Sequence, residues 1–344
     1  MTIDFLSENI ESLSPETLFE EKVISFIREF QSDSPTVPVQ TSGSTGTPKV
    51  FEIEKSKMLN SAKMTCDFLG LKPGDSALIC LPVEYISGKM MIVRSYERKL
   101  KLLVRDTSSS PLENLSQTVD FCAMTPLQVE NSLDKIHLIK NLIIGGAAVS
   151  ESLKAKVKSQ VRNSGKETRV FETYGMSETL SHIALKELFP NEEGLFTVFE
   201  GVELSLDERS CLQIYAPNLN SEVLKTNDLV ELKNDQQFKF LGRVDNVINS
   251  GGAKIFPEQV EQVIKKVFPF EVVCLGVPDE VFGQKLIAVV ETNPSEEIKQ
   301  QILQLNFEKS FHKPKGIIFV DEIPRTPNGK VNRLVLLKNV QQNQ

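Results

Sequence analysis

The first half of the chain is organised as short β-rich runs separated by helical stretches. Five runs, each bounded by turn or polar residues, read as buried strands: Ser76–Leu81, Leu100–Val104, Val119–Ala123, Leu142–Ile144 and Arg169–Glu172. The segment Thr125-Pro126-Leu127-Gln128 marks a helix start, because it combines an N-cap, a first-turn proline and a capping-box glutamine. Alternation of this kind predicts an α/β fold with a largely parallel sheet.

The pattern changes after Leu195, where short alternating strands such as Cys211–Tyr215 and Phe238–Leu241 indicate a β-rich subdomain. The polar, glycine-bearing segment Gly242–Gly252 follows and is the best domain boundary. Beyond it the sequence predicts a small α+β domain, ending in a polar carboxyl-terminal loop, with these elements: a helix at Pro257–Phe268, strands near Val272–Gly276 and Leu286–Glu291, a helix near Ser295–Phe307 and a strand at Gly316–Val320. We therefore predict a large domain over residues 1–242 and a small domain over residues 243–344.

Composition excludes several classes of protein. A chain of 344 residues that is 40% hydrophobic and 25% charged is typical of a globular protein, and its net charge of -7 argues against a nucleic-acid partner. The amino end lacks the regions of a signal peptide, and no apolar run approaches the roughly 18 residues of a membrane span, so we expect a cytoplasmic protein. The five cysteines show no metal-ligand spacing and are expected to be buried reduced thiols: Cys66, Cys80, Cys122, Cys211 and Cys274.

The most specific stretch is rich in hydroxyl groups and glycine and carries a lysine. It reads Thr41-Ser42-Gly43-Ser44-Thr45-Gly46-Thr47-Pro48-Lys49. Hydroxyls and backbone N–H groups can hydrogen-bond phosphate oxygens, glycines allow close approach, and the lysine supplies positive charge. The alternative is a flexible linker, which the lysine and the flanking apolar runs disfavour. Because the Walker A pattern is absent, a P-loop kinase or GTPase is also disfavoured.

This stretch resembles the signature phosphate loop of the acyl-adenylate-forming superfamily, which contains acyl-CoA synthetases, carrier-loading adenylation domains and luciferases. Four further segments match that superfamily in the same order along the chain: Thr173-Tyr174-Gly175-Met176-Ser177-Glu178-Thr179, Thr226-Asn227-Asp228-Leu229, Leu241-Gly242-Arg243-Val244-Asp245 and Pro324-Arg325-Thr326-Pro327-Asn328-Gly329-Lys330. The resemblance implies ATP, Mg²⁺ and coenzyme A as ligands, and a large domain followed by a small mobile one.

The resemblance also assigns roles to the matching residues. Tyr174 is expected against the adenine, within an ATP-binding segment that also includes Thr173, Gly175 and Met176. The hydroxyl of Ser177 is expected at the α-phosphate, and Glu178 is expected to hold Mg²⁺, a hard cation that prefers carboxylate oxygen.

The resemblance places two further charged residues at the nucleotide and one at the reacting groups. Asp228 can accept hydrogen bonds from the ribose hydroxyls, and Arg243 can donate to the ribose or the phosphate. The ammonium of Lys330 is expected to bridge the substrate carboxylate and the α-phosphate, a role worth roughly 10²–10³ in rate.

The thiol-transfer step is expected to use another face of the small domain. The resemblance implies rotation about Asp245, which would exchange the Lys330 loop for the face that carries Gly251 and Gly252. These glycines would let the pantetheine arm of coenzyme A run close to the backbone. A simple tight turn explains the same two glycines equally well.

The acid substrate is indicated by the stretch from Leu81 to Arg94. It resembles the L-P-L-F-H-x-S-G segment of o-succinylbenzoate–CoA ligases of menaquinone biosynthesis, which has an arginine seven residues after the serine. Tyr85 stands at the histidine, and Ser87 and Arg94 stand at the residues that hold the dicarboxylate. The alternative for Arg94 is a surface ion pair with Glu97 at helical spacing. The segment Gly145-Gly146-Ala147 is similar to the family loop that lines the acyl and adenine pockets.

Two departures from the family bear on this assignment. Tyr85 keeps an aromatic wall but removes a titratable imidazole. The phosphate loop follows only 40 residues, far fewer than in most relatives, which leaves a homodimer as one way to complete the acyl pocket. The sequence thus predicts an o-succinylbenzoate–CoA ligase. Its alternatives are another aryl- or acyl-CoA ligase, a carrier-loading adenylation domain and, more remotely, a non-catalytic nucleotide-binding protein.

Overall fold

A computed structural model describes residues 1–7, 13–40, 50–192, 194–325 and 331–342 of the chain. Its first half alternates strands and helices, as the buried runs predict. The elements in chain order are β1 (Thr2–Asp4), α1 (Leu18–Gln31), β2 (Thr36–Gln40), β3 (Val50–Glu54), α2 (Lys55–Leu69), β4 (Ser76–Ile79), α3 (Ile86–Arg98), β5 (Lys101–Val104), β6 (Val119–Met124), α4 (Pro126–Glu130), β7 (Ile139–Ile144), α5 (Glu151–Ser164) and β8 (Arg169–Gly175).

The predicted parallel sheet is confirmed. Strands β5, β4, β6, β7 and β8 are neighbours in that order, and every pair among them is parallel. Successive residues of β4 point into different cores: Ala77 and Ile79 pack with α1, α2 and α3, whereas Leu78 packs with α4 and α5. Both faces of the sheet are therefore covered, which explains why these strands are continuous apolar runs. The helix at Pro126 begins with the predicted capping box on Thr125.

The predicted β-rich region is present, and it extends the same sheet rather than forming a separate one. It adds six antiparallel strands at one edge, and with β1, which pairs antiparallel with β5 at the other edge, the sheet has 12 strands. The six added strands are β9 (His182–Phe189), β10 (Phe196–Val198), β11 (Glu203–Leu206), β12 (Cys211–Ala216), β13 (Asn220–Leu232) and β14 (Gln237–Arg243). The side chains of all five cysteines are buried, as predicted.

A second sheet of five strands forms the carboxyl-terminal part of the chain. Its elements are β15 (Ile248–Ser250), β16 (Ala253–Ile255), α6 (Pro257–Lys265), β17 (Val272–Asp279), β18 (Gly283–Glu291), α7 (Glu296–Gln304), β19 (Gly316–Val320) and α8 (Arg333–Gln342). The boundary that we place between residues 242 and 243 falls at the end of β14, and it stays a prediction.

The polar loop predicted for the carboxyl-terminal segment is wrong for Arg333–Gln342, which form helix α8. Leu336 and Val340 lie one turn apart on that helix and pack against β17 and β18. Burial of this pair against the sheet stabilises the helix, although two of its other apolar side chains, Leu334 and Val335, are exposed. Within the described ranges, no helix combines the length and the hydropathy that crossing a bilayer requires.

Candidate active site

The predicted acyl-pocket glycines follow the carboxyl end of β7, the edge of an open α/β sheet at which ligands bind. A Cβ atom on Gly145 would lie 2.8 Å from Oγ1 of Thr173, so this residue has to be glycine for the two strand ends to pack. Gly146 has a φ of +88°, a conformation that favours glycine, and Ala147 is exposed. The segment Gly145–Ala147 and the predicted ATP-binding segment therefore meet at Thr173.

The predicted phosphate loop, Thr41–Lys49, and the predicted catalytic residue Lys330 lie outside the described residues, so their roles stay predictions. The strands on either side of the phosphate loop are described. Gln40 at the end of β2 pairs with Val50 at the start of β3, and Gln40 also forms a bridge with Tyr85. The chain thus enters and leaves the segment 41–49 beside the amino end of α3. Tyr85 is 38% exposed there, and Ser87 is also exposed.

The predicted metal and α-phosphate residues lie in the tight turn between β8 and β9. Ser177 and Glu178 are exposed in a single 3₁₀ turn, Ser177–Thr179. The hydroxyl of Thr179 accepts the N–H of Met176 at 3.0 Å. Leu180 has a φ of +65°, a strained value for a residue with a γ-branched side chain. The turn therefore presents Ser177 and Glu178 to solvent on a constrained backbone.

Gly175, just before this turn, leaves no room for a side chain. A Cβ atom there would lie 2.5 Å from both the Cα atom of His182 and the carbonyl oxygen of Ser181. The glycine of this motif is thus needed for close pairing of β8 with β9.

Three residues taken from separate sequence motifs are joined by hydrogen bonds. The hydroxyl of Tyr174 donates to Oδ2 of Asp228 at 2.6 Å, and Nη1 of Arg243 donates to Oδ1 of the same carboxylate at 3.2 Å. Asp228 is 7% exposed. Burial, and after it the negative charge of Asp228, raises the pKa of the Tyr174 hydroxyl. The tyrosine ring packs edge-on against Phe238, so it is an internal wall with its hydroxyl tied to the predicted ribose-binding carboxylate.

The predicted hinge residue is connected to this cluster. Nη2 of Arg243 donates to Oδ2 of Asp245 at 2.9 Å, and the amide of Asn227 donates to both oxygens of Asp245 at 3.2 and 3.3 Å. Gly251 and Gly252 form the tight turn between β15 and β16, with φ values of +56° and +81°. The tight-turn interpretation of this glycine pair is therefore observed, and the role at coenzyme A stays a prediction.

Arg94 does not lie on the surface and does not pair with Glu97. Its side chain is 2% exposed on α3, Nη2 donates to Oγ of Ser181 at 2.9 Å, and Nε has no hydrogen-bond partner. Glu97 instead pairs with Arg98 at 3.3 Å. Burial lowers the pKa of the Arg94 guanidinium to about 10. Among the described residues no carboxylate lies within ion-pair distance of this buried cation, which is the arrangement expected of a receptor for an anion.

The polar surroundings of Arg94 include three residues that the sequence analysis did not select, Ser181, His182 and Thr65. His182 begins strand β9, Ser181 directly precedes it, and Thr65 lies on α2. Nε2 of His182 is 3.2 Å from the hydroxyl oxygen of Thr65, and Nδ1 is 3.4 Å from the hydroxyl oxygen of Ser181. No sequence motif links Thr65 and His182 to Arg94, because only the packing of α2 and α3 against β9 brings them together.

The buried imidazole of His182 predicts a stability change with pH. Burial, together with the positive charge of Arg94, holds the pKa of His182 well below its ordinary value of 6.5. Below that pH the imidazole is protonated in the unfolded chain but stays neutral in the folded chain. The free energy of unfolding therefore falls as the pH falls. At one unit below 6.5 we expect this group to cost about 1.4 kcal/mol. Urea unfolding at pH 7.5 and 5.5 measures the loss, which should be smaller by that amount in His182→Phe.

Two family models match the chain. A family model described as AMP-binding enzyme matches residues 3–201, more than half of the chain, and a second, described as AMP-binding enzyme C-terminal domain, matches residues 259–330. The first match contains the strand ends that carry Gly145, Thr173 and Tyr174. The second lies within the part of the chain that forms the small sheet.

Three relatives illustrate the similarity. The chain is 25% identical to the 2-succinylbenzoate–CoA ligase of Lactococcus lactis, over 96% of this chain and 78% of the relative. A solved structure of an AMP-forming acyl-CoA synthetase/AMP-acid ligase II-like protein from Dyadobacter fermentans is 32% identical, covers 99% of both chains and has a TM-score of 0.67. The o-succinylbenzoate coenzyme A synthetase of Bacillus subtilis, solved with ATP and magnesium, shares the fold, with a TM-score of 0.73 at 22% identity over 90% of this chain and 70% of that one. The chain therefore belongs to the AMP-binding enzyme family and is one of its AMP-forming acyl-CoA ligases.

Proposed function

We propose that this ligase converts 2-succinylbenzoate, ATP and coenzyme A into the 2-succinylbenzoyl thioester, AMP and pyrophosphate, as a step of menaquinone biosynthesis. The observation that carries the proposal is Arg94, a buried guanidinium that has a hydroxyl partner but no carboxylate partner among the described residues. The printed names of the relatives and the resemblance of the segment around Tyr85 and Ser87 to 2-succinylbenzoate ligases support the same substrate.

Arg94 suits a substrate with two acidic groups. Leaving a charge buried without a counter-ion costs several kcal/mol, so the folded enzyme gains affinity for an anion that reaches this position. A dicarboxylate can present one carboxylate to the nucleotide and the other to Arg94. Its free Nε–H and the fork of the guanidinium suit a carboxylate held by two parallel hydrogen bonds.

In the first half-reaction an oxygen of the substrate carboxylate attacks the α-phosphorus of ATP, and the bond to pyrophosphate breaks. We assign Asp228 to the ribose hydroxyls, because each of its oxygens keeps a second lone pair beyond the hydrogen bonds to Tyr174 and Arg243. Ser177 lies at the α-phosphate in this assignment, and Lys330 stabilises the charge that develops there.

Glu178 is a suitable ligand for Mg²⁺. Its side chain is exposed in the turn after β8, and within the described ranges no group of three or more His, Cys, Asp and Glu side chains could hold a metal by itself. Mg²⁺ is usually held by one or two carboxylates together with substrate phosphates, so a single glutamate fits an ion that arrives with ATP. The ion would neutralise charge on the departing pyrophosphate.

In the second half-reaction the sulfur of coenzyme A attacks the acyl carbon, and AMP leaves. We assign the change between the two steps to a hinge at Asp245, which is 52% exposed at the side chain and held by Arg243 and Asn227. The turn at Gly251 and Gly252 is assigned to the pantetheine arm. The same proposal places the enzyme in the cytoplasm and includes a homodimer.

Pyrophosphate exchange with a panel of acids tests the proposal. We expect exchange with 2-succinylbenzoate to exceed exchange with 4-oxo-4-phenylbutanoate, which lacks the ring carboxylate, and with benzoate, which lacks the succinyl arm. Exchange driven best by benzoate or by a long-chain acid would instead assign another aryl- or acyl-CoA ligase. Transfer to a carrier-protein thiol but not to coenzyme A would assign a carrier-loading adenylation domain, and failure to exchange with any acid would indicate a non-catalytic nucleotide-binding protein.

A further inference from the structure

A chain of buried polar groups extends from Arg94 and joins helices α3 and α2 to strand β9 of the large sheet. It starts at Nη2 of Arg94 on α3, passes through Oγ of Ser181 and the ring of His182 at the start of β9, and ends at Thr65 on α2. Thr65 and His182 are 0% and 8% exposed. Burying polar groups of this kind lowers the stability of the fold unless they form hydrogen bonds, so these contacts are an integral part of the core.

The hydrogen bond at the far end of this chain assigns a direction to each of the others. The hydroxyl of Thr65 has one proton, and it donates that proton to the carbonyl oxygen of Ser61 at 3.1 Å. Towards His182 the same oxygen can only accept, so Nε2 carries the ring proton and Nδ1 is an acceptor. The hydroxyl of Ser181 then donates to Nδ1, and its oxygen turns a lone pair towards the guanidinium of Arg94.

We propose that His182 is a positioning residue for acid specificity. Thr65 selects a single tautomer of its imidazole, and that tautomer orients the hydroxyl of Ser181. Ser181 in turn holds the guanidinium of Arg94 in place for the second acidic group of the substrate. The inference rests on the proposed function, since it assigns Arg94 to that group. In this arrangement the hydroxyl of Ser181 donates its hydrogen bond to His182 and acts only as an acceptor towards Arg94. The substrate anion therefore receives its hydrogen bonds from the remaining N–H groups of Arg94, including the unpartnered Nε–H.

The structure suggests substitutions that keep the packing and change the hydrogen bonds. His182→Phe keeps a ring beside Phe199, whose centroid lies 5.4 Å from that of the imidazole, but removes both nitrogens. Thr65→Val keeps the shape of the threonine and removes the acceptor for Nε2–H. Thr65→Ser retains that hydroxyl and is the matched control.

The first readout is acid selectivity, measured as kcat/KM for the best dicarboxylic acid divided by kcat/KM for its analogue without the second acidic group. We expect His182→Phe to lower this ratio about tenfold, a change of ~1.4 kcal/mol. Thr65→Val should lower it several-fold, and Thr65→Ser should leave it unchanged. A purely structural role would lower both kcat/KM values together and leave the ratio intact, which would overturn the proposal.

The second readout does not depend on the substrate. Nitrogen-15 chemical shifts of His182 in the full-length protein should show a protonated Nε2 and an unprotonated Nδ1 at pH 7, and Thr65→Val should disturb this pattern. A ring protonated at Nδ1, or at both nitrogens, would overturn the inference even if 2-succinylbenzoate is the substrate. A protonated Nε2 in an enzyme that rejects 2-succinylbenzoate would retain the hydrogen-bond chain and reject only the assigned acid.

Discussion

Replacing Arg94 with methionine is expected to lower kcat/KM for 2-succinylbenzoate about 100-fold and to change kcat/KM for 4-oxo-4-phenylbutanoate much less. Losing one partner of a buried charge pair costs about 3 kcal/mol, which corresponds to roughly that factor. Methionine fills most of the space of the arginine stem, so the substitution removes the charge without opening a cavity. Steady-state kinetics with both acids measures the two effects.

Stability provides a second criterion for Arg94. Because its charge is buried without a carboxylate partner among the described residues, we expect Arg94→Met to leave the free energy of unfolding unchanged or to raise it. Arg98 is the matched control, since it lies one turn further along α3, pairs with Asp67 at 2.5 Å and donates to the carbonyl oxygen of Leu71 at 2.9 Å. Arg98→Met should lower stability and leave acid selectivity intact. Equal losses with both acids in Arg94→Met would show that Arg94 does not recognise the second carboxylate.

Asp228→Asn is expected to lower kcat/KM for ATP about 100-fold. A hydrogen bond to a charged acceptor is worth about 1.5–3 kcal/mol. Asparagine keeps one neutral acceptor oxygen and replaces the other oxygen by a donor, so a loss of about one such bond is expected. Kinetics with 2′-deoxy-ATP test this cause. The wild-type enzyme should have a lower kcat/KM for the deoxy nucleotide than for ATP, whereas the kcat/KM of the variant should be nearly the same for both nucleotides. Asp207→Asn, which removes a carboxylate that pairs with Arg209 at 2.8 Å on the same sheet, is the control.

Two outcomes would contradict the assignment of Asp228. One is an unchanged kcat/KM for ATP in Asp228→Asn, which would make the carboxylate a structural partner of Tyr174 and Arg243 only. The other is a penalty for the deoxy nucleotide that is equally large in the variant and the wild type, which would place the ribose hydroxyls elsewhere.

The fold was largely predictable because burial on both sides of a parallel sheet leaves a strong signal. The runs from Ser76 to Glu172 are apolar at successive residues, so their strands could be placed before their order was known. Helix α8 was missed because only Leu336 and Val340 are buried, and their partners lie on strands β17 and β18, far away in sequence. That the β-rich region continues the large sheet also depends on long-range pairing, such as β10 with β14.

The candidate site was likewise predictable from the sequence only in part. Tyr174, Asp228 and Arg243 were selected from separate motifs, and the structure joins them in one hydrogen-bonded cluster. Whether they bind ATP stays a prediction. The partners of Arg94 could not be predicted, since Thr65 and His182 reach it only through the packing of α2 and α3 against β9. A buried polar chain has no periodicity and no fixed spacing in sequence, so it becomes visible only in three dimensions.

In the proposed reaction the enzyme forms an acyl-adenylate of 2-succinylbenzoate and passes the acyl group to coenzyme A. Mass spectrometry of a single turnover tests it most directly. With ATP, Mg²⁺ and 2-succinylbenzoate, we predict one equivalent of 2-succinylbenzoyl-AMP, which disappears when coenzyme A is added, as the thioester and AMP appear. Absence of the adenylate with this acid, while another acid yields one, would contradict the assigned substrate, and absence with every acid would contradict the catalytic account.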